Sequence, residues 1–285
     1  SYKANSDPDT LYLHEALAQA DRDKFLKAMQ QEIEDHESRF HWRIIKRSDV
    51  PEKEKILPCV WAMKRKRRIT TREVYKWKAR LNLHGGKQEE GIHYWETYSP
   101  VVDWMAVRLF LILSIINDWY TIQIDFVLAF PQAPAECTMY MEIPKGFEIE
   151  GAYEGEYVLL LLRNLYGGKA AGKIWFDFLK KGLLETGFTQ SKHNECVFIN
   201  EGVILTIYVD DGILFGPEQD KIHAQIDKLK QLGYRVDEMG DVCDYLGVKI
   251  DKLPDGRIKL TQPQLIDQIL HDLGMENKRT KPKSK

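Results

Sequence analysis

The stretch GVILTIYVDDGILFG, from Gly202 to Gly216, sets two adjacent carboxylates between two apolar runs. The residues from Val203 to Val209 are mostly β-branched or aliphatic, and the apolar pattern resumes from Ile213 to Phe215, which predicts a β-hairpin. Asp210 and Asp211, followed by a glycine, interrupt the pattern. Because Asp-Gly is a favoured hairpin dipeptide, these acids could simply form the turn. A chemical role requires a further carboxylate elsewhere in the chain that comes close to this hairpin.

A candidate for that partner ends another apolar strand. Asp125 closes the run TIQID and precedes the run FVLAF, so it either caps the following segment or meets the hairpin acids. If the two strands are neighbours in an antiparallel sheet, Asp125, Asp210 and Asp211 gather at one end. Clustered carboxylates repel one another unless cations lie among them, and oxygen ligands suit Mg²⁺. Two such ions, about 3.5–4 Å apart, serve phosphoryl transfer.

The remaining pattern indicates the fold class. The chain has 285 residues, enough for one large domain or two to three subdomains. Helical and strand patterns are mixed along it and do not alternate strictly, which predicts an α+β fold with a largely antiparallel sheet. The apolar runs are too short to span a bilayer and no secretory segment is present, so we expect an intracellular protein without membrane contact.

Basic residues are concentrated in one segment although the net charge is −2. From Lys64 to Arg80 there are nine Lys or Arg residues and a single acid. The segment predicts a β-hairpin joined around residues 69–72, and its charges could simply be solvated. Lys64 and Lys66, like Lys78 and Arg80, recur at alternate positions, so each pair shares one face of its strand. That face is a candidate for phosphate contact.

Several motifs, in order, resemble the polymerase region of reverse transcriptases of copia-type LTR retrotransposons. They include IDFVLAF around Asp125, NLYGGKAAGKIW around Gly167, and YVDD. The segments KARL, GIHYWETYSPVV and YLGVKI also resemble blocks of that family, and the resemblance covers roughly residues 15 to 280. It implies a right-hand polymerase with a ferredoxin-like antiparallel-sheet palm, a fingers subdomain and a possible partial thumb.

The resemblance also implies a domain division and roles for the acids. Residues 1–102 would form an N-terminal helix and the fingers, 103–240 the palm with parts of the fingers inserted, and 241–285 the primer-grip hairpin and the start of a thumb or connection. The family's catalytic aspartates map to Asp125, Asp210 and Asp211. These would hold two Mg²⁺ ions, with Mn²⁺ as an alternative, and the Phe126 carbonyl would be a further ligand.

The nucleotide and primer sites are implied in the same way. Their candidate residues are Lys64, Lys66, Lys78, Arg80, Phe130, Gly167 and Lys169 for the nucleotide, and Tyr245, Leu246 and Gly247 for the primer grip. Phe130 lies where the family places an aromatic steric gate that excludes the 2′-OH of ribonucleotides, although a core phenylalanine is the simpler alternative.

The implied activity is RNA-directed DNA polymerisation, with an RNA template, a DNA primer and dNTPs as partners. The rest of a Pol polyprotein would carry RNase H and integrase, and the implied location is a cytoplasmic virus-like particle. Pro131 and Ala170 depart from the family pattern, which leaves open a second hypothesis, an inactive nucleic-acid-binding relic or assembly module. A metal-dependent nuclease is a more distant alternative that could use the same acids. The oligomeric state is not predicted.

Overall fold

The computed structural model describes residues 9–68, 71 and 73–275. Within these ranges the helices are α1 (Leu13–Leu17), α2 (Arg22–Glu37), α3 (Trp104–Ile116), α4 (Ala129–Gln132), α5 (Ala171–Glu185), α6 (Gln219–Gln231) and α7 (Pro263–Asp272). The predicted hairpin connection at residues 69–72 falls largely outside the described residues.

Short strands alternate irregularly with these helices. They are β1 (Thr10–Tyr12), β2 (Trp42–Lys46), β3 (Ile56–Leu57), β4 (Cys59–Arg67), β5 (Val74–Leu83), β6 (Tyr120–Phe126), β7 (Tyr140–Glu142), β8 (Tyr157–Leu161), β9 (Thr189–Gln190), β10 (Val197–Asn200), β11 (Val203–Tyr208), β12 (Asp211–Gly216), β13 (Val236–Gly240), β14 (Asp244–Tyr245), β15 (Val248–Lys252) and β16 (Ile258–Thr261).

The strands form four sheets. The largest has the order β13-β6-β12-β11-β10-β9, and every pair in it is antiparallel. Two three-stranded sheets have the orders β1-β4-β5 and β14-β15-β16, and a mixed sheet has the order β2-β8-β7-β3 with a parallel β3–β7 pair. The predicted α+β class with largely antiparallel sheets is therefore confirmed.

Two apolar cores organise the chain. The first contains residues of the six-stranded sheet and of α3, α5 and α6, with Trp175 and Phe215 among its fully buried side chains. The second joins α2 to the β4–β5 hairpin and the mixed sheet. Phe25, Met29 and Ile33, at helical spacing along α2, are all buried there. In each core, apolar side chains meet from elements distant in sequence, and this burial is the main stabilising term.

Helix α3 differs from its expected environment. Its apolar run VRLFLILSII is typical of a buried helix, but only one side packs on the sheet, through Val107 and Leu111. Met105 and Ile116 on the opposite side are 74% and 70% exposed. An almost uniformly apolar helix carries no sequence signal that distinguishes a covered side from an uncovered one. None of the described helices combines the length and the apolar character needed to cross a membrane.

Candidate active site

The YVDD segment forms a tight hairpin between β11 and β12. Tyr208 pairs directly with Asp211, so the two turn residues are Val209 and Asp210. Of the two acids that could have formed the turn, Asp210 lies in it, whereas Asp211 and Gly212 lie inside β12. Strand pairing with β6 explains the difference: Gly212 faces Ile124, whose Cγ1 would be 2.9 Å from an added Cβ. The glycine therefore serves close strand packing and not the turn.

Val209 adopts a left-handed backbone with φ of 58°. A β-branched residue there is a genuine outlier, since such turns favour glycine at this position. Two hydrogen bonds hold the strained turn in place. The indole Nε1 of Trp175 donates to the Val209 carbonyl at 2.6 Å, and the backbone N–H of Phe126 donates to the Asp210 carbonyl at 2.8 Å. Strain of this kind persists only where the surroundings determine the backbone.

The hairpin brings the predicted acids together. Asp125 in β6 lies directly opposite Asp211 in β12 on one side and opposite Asp237 in β13 on the other. Asp210 projects from the adjoining turn, and all four residues line one cleft of about 590 Å³. Sequence reasoning missed Asp237, because β13 has an exposed, weakly alternating pattern that gave no strand signal.

The acids repel one another within this cleft. Burial, and then the charge of Asp210, raise the pKa of Asp125. Burial, Asp210 and Asp125 raise the pKa of Asp211 to about 6, against an opposing effect of Lys66. A cation in the cleft would lower both pKa values, because it favours the charged carboxylates.

The donor chemistry fits Mg²⁺ only together with other ligands. Within the described part of the chain, no group of three or more His, Cys, Asp or Glu side chains could hold a metal ion. Mg²⁺ is commonly bound by one or two carboxylates plus waters and substrate phosphates, and not by an all-protein cage. Asp125, Asp210 and Asp211 supply carboxylates of the kind that this second type of site uses.

The basic hairpin presents one face to the same cleft. In the β4–β5 pair, Lys64 lies opposite Lys78, and Lys66 lies opposite Lys76. Directly opposed residues share a face, and Lys66, Lys76 and Lys78 all line the cleft together with Arg80. Lys64 is on that face but is not a lining residue. Burial, followed by the charges of Arg80 and Lys66, lowers the pKa of Lys78 to about 8. An anion bound nearby would raise this pKa again, because it favours the charged ammonium.

The alternating arginines of the hairpin have structural partners instead. Arg65 forms two hydrogen bonds with Asp21, both at 2.8 Å, and Arg67 pairs with Asp9. Trp61 is 4% exposed and donates to the Lys145 carbonyl at 3.0 Å, so it packs in the core. The basic segment is therefore divided between a packed face and a cleft face, and its charges are not all simply solvated.

An aromatic pair adjoins the cleft. Phe130 in α4 packs on Tyr166 with ring centroids 5.0 Å apart, and the guanidinium of Arg80 lies 4.5 Å from the Tyr166 ring centroid. Tyr166 lines the cleft, whereas Phe130 does not. Sequence reasoning missed Tyr166 although it stands inside the NLYGGKAAGKIW motif. The steric-gate role of Phe130 stays a prediction.

The other predicted nucleotide contacts lie outside the cleft. Gly167 has φ of 83°, and an added Cβ would be 2.3 Å from the Leu83 carbonyl oxygen, so it permits a close approach to the end of β5. The backbone N–H of Lys169 donates to Gln88 at 2.7 Å, while its side chain is exposed. Gly167 and Lys169 are thus not among the lining residues of the cleft.

The predicted primer grip forms its own turn between β14 and β15. Leu246 and Gly247 both have positive φ, 50° and 76°, as in a type I′ hairpin turn. Tyr245 is 1% exposed and contacts the Trp104 ring edge-on at a centroid distance of 6.3 Å. Burial, and then the charge of Asp211, raise the pKa of its hydroxyl. This turn lies near the acids but does not line their cleft.

Comparisons with known proteins agree with the motifs. A family model described as reverse transcriptase (RNA-dependent DNA polymerase) matches residues 41–284. The chain is 29% identical over 271 residues to the retrovirus-related Pol polyprotein from transposon TNT 1-94 of Nicotiana tabacum, covering 93% of the chain and 20% of that protein. It is 28% identical over 274 residues to the corresponding polyprotein from transposon RE1 of Arabidopsis thaliana, covering 95% and 18%. The chain therefore spans about a fifth of the length of these relatives.

Proposed function

The chain belongs to the reverse transcriptase (RNA-dependent DNA polymerase) family, among Pol polyproteins of copia-type transposons, and from this membership we propose that it catalyses RNA-directed DNA synthesis. A primer 3′-hydroxyl would attack the α-phosphorus of a dNTP, with pyrophosphate as the leaving group. One observation carries the proposal: Asp125, Asp210 and Asp211 share a cleft with the basic face of the β4–β5 hairpin. Carboxylates for metal ions and cations for phosphates thus lie in one place.

Each group would have a distinct task. Asp125, Asp210, Asp211 and the Phe126 carbonyl would hold two Mg²⁺ ions, which would supply activation of the attacking oxygen and stabilisation of the leaving oxygen. Lys66, Lys78 and Arg80 would bind and orient the triphosphate, since charge-assisted hydrogen bonds to phosphate are strong. The partly buried Lys78 would bind it as an ammonium, because the triphosphate charge favours its protonated form.

The polymerase layout follows from the same assignment. The β4–β5 hairpin with α2 and the mixed sheet would be the fingers, the six-stranded sheet with α3, α5 and α6 the palm, and the sheet β14-β15-β16 with α7 the start of a thumb. This division follows the proposed ranges 1–102, 103–240 and 241–285, with β7 and β8 as the parts of the fingers inserted in the second range. The Tyr245–Gly247 turn would contact the primer. RNA template and DNA primer would be the partners, and RNase H and integrase would belong to other parts of the polyprotein.

Binding without catalysis is the competing function. The altered positions Pro131 and Ala170 motivate it, and phosphate contacts alone would sustain salt-sensitive binding. Neither position is one of the proposed metal ligands, which favours catalysis.

Primer extension distinguishes the two functions. An annealed DNA primer on an RNA template, with dNTPs and Mg²⁺ or Mn²⁺, is extended by the wild type and not by Asp210→Asn/Asp211→Asn. Binding of the same duplex by both proteins without extension by either would contradict the polymerase and support the binding module. Shortened product that depends on the same acids would indicate a nuclease instead.

A further inference from the structure

The hairpin that carries the proposed primer-contacting turn is joined to the six-stranded sheet by a short connection. Strand β13 ends at Gly240, and β14 begins at Asp244. In the part of the chain that the structure describes, no strand pairing joins the sheet β14-β15-β16 to the six-stranded sheet. The orientation of the turn relative to the acids therefore depends on side-chain contacts between the two sheets.

Lys252, at the end of β15, links the base of this hairpin to the six-stranded sheet. Its Nζ donates to both carboxylate oxygens of Asp241, at 2.8 and 2.7 Å, and to the hydroxyl oxygen of Thr121 at 3.3 Å. Thr121 is 4% exposed and lies in β6, the strand that carries Asp125. Its hydroxyl donates in turn to Asp241, whose side chain also accepts from the backbone N–H of Val242 at 3.0 Å. We call Lys252, Asp241 and Thr121 the Lys252 bridge.

The Lys252 bridge borders an open cavity between the two sheets. The cavity has a volume of about 670 Å³ and is lined by all three residues of the bridge. Ile122 from β6 and Ile258 from β16 line it as well, so apolar packing between the two sheets is incomplete on this side. The polar contacts of the bridge therefore connect the sheets where side-chain packing does not.

Rotation of the hairpin would misplace the turn. Tyr245 is 1% exposed and packs on Trp104 beside the turn, which gives the hairpin a pivot. A rotation of about 10° about Tyr245 would move Gly247, at most about 7 Å away, by about 1 Å. Lys252 lies four residues beyond Val248, the strand partner of Tyr245, so the same rotation would move Lys252 by about 2 Å and break its hydrogen bonds. The intact bridge therefore holds the hairpin in one orientation.

We propose that Lys252 is a positioning residue, which fixes the turn from Tyr245 to Gly247 and thereby the primer end that this turn would contact. The inference rests on the proposed polymerase function. An ammonium group with three donors, all bound to acceptors on the six-stranded sheet or at its edge, restricts the direction of the hairpin as well as its distance. The Lys252 and Asp241 side chains are 44% and 57% exposed, and ion pairs this exposed contribute little to global stability. Loss of the bridge should therefore displace the turn without unfolding the protein.

Hydrogen exchange followed by mass spectrometry tests the bridge independently of polymerase activity. Lys252→Met keeps an unbranched side chain and removes the three donors, so the amides of β14 and β15 should exchange about threefold faster, while those of β11 and β12 exchange as in the wild type. Lys249→Met is the matched control, because Lys249 lies in the same strand, is 49% exposed and pairs with Asp251 within that strand at 2.7 Å. Unchanged exchange of β15 in Lys252→Met, or equal acceleration in Lys249→Met, would overturn the proposal.

Single-turnover addition of one nucleotide to a bound primer tests the positioning role. Because a displacement of 1 Å can slow a reaction about 100-fold, Lys252→Met should lower the rate about tenfold, with the amplitude and the KM for dNTP unchanged. Lys252→Arg restores a charged donor and should recover most of the rate. A lower amplitude at the wild-type rate would indicate partial unfolding and overturn the positioning role, as would an unchanged rate beside an active wild type. A wild type that extends no primer would contradict the proposed polymerase, and with it this role, whereas the exchange measurement would still decide whether the bridge fixes the hairpin.

Discussion

Trp175→Phe should destabilise the protein and also impair the proposed polymerase. Trp175 is 1% exposed, and its indole donates the 2.6 Å hydrogen bond to Val209 in the strained turn. Phenylalanine retains an aromatic ring but has no donor, so the Val209 carbonyl loses this partner. We expect a loss of about 1 kcal/mol for the hydrogen bond and about 1–2 kcal/mol for the lost packing. The total, roughly 2–3 kcal/mol, is measured by urea denaturation.

Trp61→Phe is the matched control. Trp61 is similarly buried and also donates to a backbone carbonyl, at 3.0 Å, but in the other core. Both variants should lose comparable stability. Only Trp175→Phe should also slow primer extension at temperatures where both proteins are fully folded, because only Trp175 holds the turn that carries Asp210.

A comparable decrease of stability without any specific loss of extension would refute this reasoning. It would mean that the Phe126–Asp210 hydrogen bond and the strand pairing suffice to fix the turn. Full stability of Trp175→Phe would contradict the hydrogen bond itself.

Two further variants test the structure away from the acids. Asp21→Asn should lower stability at neutral pH by about 2 kcal/mol, because Asp21 pairs with Arg65 and its pKa lies well below the ordinary 3.8. This stabilisation is present above pH 3.8 and is lost as the pH falls below that value. The free energy of unfolding, measured by denaturation from pH 7 to pH 2, should therefore depend less on pH in the variant than in the wild type. Parallel curves for the two proteins would contradict this expectation. Gly182→Ala should lower the free energy of unfolding by roughly 1–3 kcal/mol, since the new Cβ would be 2.3 Å from the Tyr234 hydroxyl. Lys181→Ala, at an exposed neighbouring position, is the control and should leave thermal unfolding unchanged. Equal stability of these two alanine variants would exclude the clash.

The sequence was sufficient for features that depend on local periodicity. Alternation predicted which lysines of the β4–β5 hairpin share a face, and three of the four candidates on that face do line the cleft. Apolar strands ending in acids predicted that Asp125 would meet Asp210 and Asp211. The first inference uses the two-residue period of a strand, which is preserved whatever the sheet packs against, and the second uses the positions of the acids at the ends of strands.

Features set by long-range packing could not be predicted in this way. The turn lies at Val209 and Asp210 because the β12 register is set by β6, and this requirement outweighs the local preference of Asp-Gly. Asp237 lies beside Asp125 on β13, an edge strand whose sequence has no clear strand pattern.

The position of Gly167 and Lys169 illustrates the limit of motif transfer. A motif indicates which residues belong to a site, but not which of their side chains reach the ligand. Gly167 contacts the end of β5, and Lys169 points its backbone N–H at Gln88. Tyr166, one residue earlier, is the neighbour that lines the cleft.

The rate of single-nucleotide addition by Asp125→Asn tests the central claim most directly. The substitution preserves the size of the side chain and removes one charge from the proposed metal site, while Asp118→Asn makes the same change at an exposed position before β6. Because bound metal supplies several kcal/mol of transition-state stabilisation, we expect addition to fall at least about 100-fold in Asp125→Asn and to stay at the wild-type rate in Asp118→Asn. Addition at the wild-type rate by Asp125→Asn, in Mg²⁺ or in Mn²⁺, would contradict the assignment of the cleft as the polymerase active site.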